Sequence, residues 1–210
     1  PDLPQRITNI VFMGMGEPLE NYENVKAAIH AWLKHTEIGS TRITVSTVGI
    51  LKTMEHILTD PDWPHVRIAI SLHSADPVRR KEIVPTTVTG FHEKLADWSH
   101  RYAHMLGNRR HHITYEYTLI SEVNDTPEHA GELLAYFNKT AARMINVIPY
   151  NPIPSQKYAR SQQDRINAFK YVLRLGGVDV TQRHTMGDDI AAACGQLATT
   201  PRGAFAKSPG

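Results

Sequence analysis

Residues 9–21 read NIVFMGMGEPLEN. The apolar run NIVFM ends in a turn with Gly14, Gly16 and Pro18, the pattern of a buried strand feeding a tight loop. Such a turn fits a doubly wound nucleotide-binding sheet or a barrel of parallel βα units. The first of these needs G-x-G-x-x-G, whose third glycine lets the following helix pack close to the strand. Position 19 holds Leu19 instead, so the dinucleotide reading loses its best support.

Working outward, RITVST (42–47), VRIAISL (66–72), ITYEYTLI (113–120) and MINVIPY (144–150) read as further buried strands, and VDVTQ (178–182) as a last short one. Helical spacing fills the intervals. Val25, Ala28, Ile29, Trp32 and Leu33 form one stripe; Leu51, Met54 and Leu58 a short second; Phe91, Leu95, Trp98 and Tyr102 a third. A fourth helix is expected from Thr126 as N-cap and Pro127 at its first position, with Ala130, Leu133, Leu134 and Phe137 inward. The fifth, around Ile166, Phe169, Val172 and Leu173, should stop at Gly176 and Gly177. Strand alternating with helix predicts right-handed parallel βα units.

Polar residues cluster where these strands end. Glu17 follows the first, Ser46 and Thr47 close the second, Ser71 and His73 close the third, and Asn151 follows the fifth. In parallel barrels that carboxyl-end rim builds the active site, which favours a barrel over an open sheet. Eight units need about 250 residues, so a chain of 210 is expected to form only a partial barrel. At the rim, Gly14 and Gly16 would let a ligand approach the backbone, and Glu17 could grip an ammonium group. Ser46, Ser71, His73 and Asn151 add groups suited to ribose hydroxyls and a carboxylate. Each alone could equally be a satisfied structural polar group.

Composition narrows the classes. With 41% hydrophobic and 21% charged residues the chain is an ordinary globular sequence that can bury a core. No run approaches the roughly 20 apolar residues of a membrane span. Its net charge of +2 leaves any polyanion to local patches: Arg79, Arg80 and Lys81; Arg109, Arg110, His111 and His112; and, more loosely, Lys157, Arg160 and Arg165. Such clusters are more often solvated surface. Among the 12 histidines, His100 and His104 lie four apart on a predicted helix, but no third ligand has suitable spacing, and no metal site is expected. A P-loop, a serine nucleophile elbow and a set of cluster-binding cysteines are likewise missing.

The one cysteine, Cys194, lies in DDIAAACGQL (188–197). It cannot form an internal disulfide, so a reducing cytoplasmic setting is expected. A lone cysteine among alanines is usually a small buried hydrophobe. Small neighbours also leave room for a substrate, and spacing alone does not decide between the two.

Taken in order, MGMGEPLEN, RITVSTVGI, ISLHS, YEYTLISEVND, VIPYNP and GDDIAAACGQL resemble the radical SAM adenine-C2 methyltransferases of ribosomal and transfer RNA, the RlmN and Cfr family. The resemblance runs from about residue 5 to about 198. It implies an α/β fold, a partial (βα)6 TIM-like barrel of the radical SAM type truncated at its N-terminus, with residues 1–198 as core and 199–210 as a mobile tail. It further implies Gly16, Glu17, Ser46, Ser71, Leu72, His73 and Asn151 as S-adenosylmethionine contacts. Cys194 would be the thiol that is methylated and then delivers the carbon to adenine C2. Adenine C2 is electron-poor, so a polar transfer is closed to it and a radical route is required. Implied partners are 23S rRNA, tRNA and an external reductant, with no membrane and a monomeric state. A 4Fe-4S cluster is also implied, yet the CxxxCxxC loop that holds it, a second cysteine and a glutamate base do not occur here. The expectation is a C-terminal part, inactive alone. The alternatives are a non-catalytic or decayed SAM- or RNA-binding module and, more distantly, an unrelated barrel hydrolase or aldolase.

Overall fold

A computed structural model describes residues 7–107, 113–152 and 158–183. Six strands form one sheet: β1 (Ile10–Phe12), β2 (Ile43–Thr47), β3 (Arg67–Ser71), β4 (Ile113–Leu119), β5 (Met144–Pro149) and β6 (Asp179–Gln182). Their spatial order is their chain order, and every neighbouring pair is parallel. A doubly wound sheet reverses direction at a switch point; this one never does. Right-handed crossovers that all advance the same way put every helix on one face and leave the other concave. The sheet is thus the partial barrel expected from the glycine turn.

The connecting helices are α1 (Tyr22–His35), α2 (Leu51–Ile57), α3 (Pro77–Ile83), α4 (Phe91–Leu106), α5 (Pro127–Phe137) and α6 (Gln163–Leu175). Thr126 caps α5 as expected, and His129 returns the bond to the Thr126 amide, closing a capping box. Gly177 adopts φ +78° just past α6, a conformation that favours glycine. The strand alternation predicted from sequence gives no hint of α3. Asp76 caps it and Pro77 opens it, but its buried residue is Arg80, so no apolar stripe announces it.

Register separates the two faces. Phe12, Val45, Ile68, Ile70, Tyr115, Ile145 and Val180 meet as row partners beneath the helices. Trp98 and Tyr102 of α4 stack at 4.7 Å in this core, and their polar ends are satisfied by the Met54 and Val66 carbonyls at 2.7 and 2.8 Å. The alternate residues face the concave side. There Thr44, Arg67, Thr114, Glu116 and Asn146 help line a cavity of about 370 Å³. No described helix is long and apolar enough to cross a membrane.

Candidate functional site

The Gly14–Gly16 turn works because Gly16 takes φ +107°, closed to most side chains, with open space where a Cβ would stand. The backbone beside Glu17 is therefore accessible. Glu17 itself clasps two amides: Oε1 accepts from Leu19 N at 2.9 Å and Oε2 from Val48 N at 2.8 Å. It thereby caps the turn and ties the end of β1 to the end of β2. A carboxylate has about four acceptor positions, so the two amides leave room for a further donor.

Ser46 shares its face with Thr44, which lines the cavity, and Ser71 shares its face with Ala69, which lines it too. Leu72 is 0% exposed and works through its backbone: its amide donates to the Glu116 carbonyl, and its own carbonyl accepts from Ser74 N and Arg80 Nε. His73 stands at φ +58°, an uncommon conformation for a non-glycine residue, and Asn124 Nδ2 donates to its carbonyl at 2.8 Å. His73 Nδ1 accepts from Thr118 N at 3.0 Å. An imidazole nitrogen that accepts carries no proton, so Nε2 must carry it and can only donate. Burial, and secondarily the charge of Arg80, push this ring down to about 4, so it is neutral at physiological pH. Asn151 is buried just past β5. Cys194 lies outside the described residues.

Several functional-looking residues escaped the sequence reading. Arg80, expected in a surface cluster, is 0% exposed. Its guanidinium donates to the carbonyls of Val48, Ser71 and Leu72 and to Thr87 Oγ1, and lies 3.6 Å from the Phe91 ring centroid. Carbonyls crowded at parallel strand ends supply the negative potential that a carboxylate would otherwise supply. The rest of that cluster is engaged as well, Arg79 with Glu132 at 2.7 Å and Lys81 with the carbonyls of Pro85 and Thr87. Arg165 pairs with buried Asp125 at 2.6 Å, while residues 109–112 and Lys157 lie outside the described residues. Asn124 is the second residue missed. Besides His73 O it donates to Thr118 O and accepts from Ile120 N, joining the ends of β3 and β4. The third is Glu116, a 4%-exposed carboxylate on the concave face. The alternation of Thr114, Glu116 and Thr118 with Ile113, Tyr115, Tyr117 and Leu119 was the available signal.

Together Glu17, Val48, Arg80, Leu72, His73, Asn124 and Thr118 form a hydrogen-bonded belt across the ends of four consecutive strands. It brings Glu17, Ser46, Ser71 and His73 to one rim. Among the described residues no group of three or more histidines, cysteines, aspartates or glutamates could hold a metal, and His100 Nε2 instead meets the Lys139 carbonyl at 3.1 Å.

Among solved structures, the chain is similar to a radical SAM methyltransferase from Sphaerobacter thermophilus, 37% identical with TM-score 0.81, covering 91% of this chain and 55% of that one. It thus spans about half the length of that protein. It also resembles a domain of pyruvate-formate lyase-activating enzyme from Bacteroides vulgatus, 15% identical with TM-score 0.63, covering 85% of this chain and 100% of that one. SuiB from Streptococcus suis, bound to S-adenosylmethionine, is 13% identical with TM-score 0.58, covering 89% and 40%. The last two likenesses show the fold alone. No family model matches the chain.

Proposed function

We propose that this chain, akin in sequence and fold to a radical SAM methyltransferase, is the SAM-binding part of an enzyme that methylates adenine C2 in 23S rRNA and tRNA. One observation carries the reading: Glu17, Ser46, Ser71 and His73 converge at the carboxyl ends of a sheet that never reverses. That rim fits SAM. Glu17 retains acceptor capacity for an ammonium group, the Gly16 backbone is open, and His73 Nε2–H is a fixed neutral donor for a carboxylate or hydroxyl. Ser46, Ser71 and Asn151 complete the polar lining, with Leu72 holding the backbone between Ser71 and His73. When bound, SAM supplies the methyl group.

The cluster is a different matter. A 4Fe-4S centre needs several thiolates and this chain has one cysteine, so its own residues do not fit that group and no step through it is assigned to them. Cys194 is then free for the role its resemblance implies, carrying the methyl carbon to the base. The single cysteine also favours a second reading, a non-catalytic module that binds SAM or RNA.

Two measurements separate these. Calorimetry should detect SAM binding to the chain, and its absence would sink the first reading and the SAM-binding form of the second. Cys194→Ala in cells that depend on this gene should abolish the adenine-C2 methyl mark in 23S rRNA and tRNA by mass spectrometry while leaving SAM affinity unchanged. A persisting mark refutes the carrier role, and no mark in the wild type supports the binding module.

A further inference from the structure

Ser71, Glu116, Asn146 and Thr181 are successive register partners on β3, β4, β5 and β6, so they form one row across the concave face. The row is a directed relay. Thr181 Oγ1 donates to Asn146 Oδ1 at 3.0 Å, and Asn146 Nδ2 donates to the two Glu116 oxygens at 3.0 and 3.3 Å. Every donor points toward Glu116, which ends the chain beside Ser71. Buried carboxylates are normally paired with a cation, because desolvating an unpaired charge is costly. Among the described residues Glu116 has no ion pair within 4.0 Å, and Asn146 is the one side chain bonded to it. Among the described residues acceptor positions on both oxygens therefore remain unused. The carboxylate lines the cavity with Arg67 and Arg183, and Ser71 adjoins it as the register partner of Glu116 rather than as part of the lining.

We infer that Glu116 is a ligand-binding residue whose carboxylate accepts hydrogen bonds from a vicinal diol, the 2′- and 3′-hydroxyls of a ribose seated next to Ser71. Two oxygens on one carbon match two adjacent O–H donors, as a carboxylate matches ribose in other nucleotide sites. An amino group would present its donors from a single atom and use the pair less well. Asn146 and Thr181 position the carboxylate and do not touch the ligand. The inference rests on the SAM reading above and adds to it the residue that selects ribose over deoxyribose.

The test is an NMR titration of the whole chain with adenosine and 2′,3′-dideoxyadenosine, repeated with Glu116→Gln. Wild type should favour adenosine by about tenfold, the size expected for hydrogen bonds to a charged group. Glu116→Gln should lose most of that preference while binding the dideoxy ligand as wild type does. Equal binding of both ligands by wild type, which requires no variant to fold, overturns the inference, as does a preference that survives in Glu116→Gln. If SAM binds but the hydroxyls are ignored, only this inference fails. If neither SAM nor adenosine binds, the SAM reading fails and this falls with it.

Discussion

Glu116 couples binding to stability in a way a single substitution exposes. Burial raises its carboxyl above the usual glutamate range, opposed in part by Asn146 and by Arg183. The folded chain therefore holds a proton that the unfolded chain releases at about 4.3, and stability falls as pH climbs from there through the raised value. Glutamine carries no such penalty. Glu116→Gln should match wild type in melting temperature near pH 4 and equal or exceed it near pH 7, without ligand. A variant that melts well below wild type at pH 7 would show that the carboxylate serves stability rather than binding. At this scale the sequence was only partly legible. The rim residues announced themselves by following strands, whereas Arg80 was hidden among charged neighbours. Nothing in ADPVRRKE distinguishes a guanidinium satisfied by strand-end carbonyls from one in water.

Among the elements, β2 and its turn into α2 carry the site, because Val48 sits between Glu17 and Arg80. Gly49 follows at φ +93°, and a Cβ there would stand 2.7 Å from Phe91, on whose ring Arg80 stacks. Gly49→Ala combines backbone strain with a clash against a packed ring, so a loss of about 1–3 kcal/mol is expected in chemical denaturation. Unchanged stability would show that the turn is looser than its geometry implies. The strands and most helices were legible because each exposes a period to read, two residues in β4 and about 3.6 in α4. Helix α3 was not, since a seven-residue helix whose buried residue is an arginine has no apolar period.

For the whole molecule, the decisive sequence feature was a missing glycine. Leu19 argued against a reversing sheet, and the strand order β1 to β6 bears that out. Which face holds the site follows from the same order, since helices on one side leave the other concave. What a linear reading could not supply was the belt between strand ends, whose partners lie about 30 to 50 residues apart, as in Val48 with Glu17 and Asn124 with His73. If that rim is where SAM is held, binding should quiet the local openings around it. Hydrogen exchange of the chain with and without saturating SAM tests this most directly. The account predicts slowed exchange at residues 14–19, 46–49 and 71–73, with the helix-covered face unchanged. Protection confined to the helices, or none at these strand ends while SAM is bound, would contradict it.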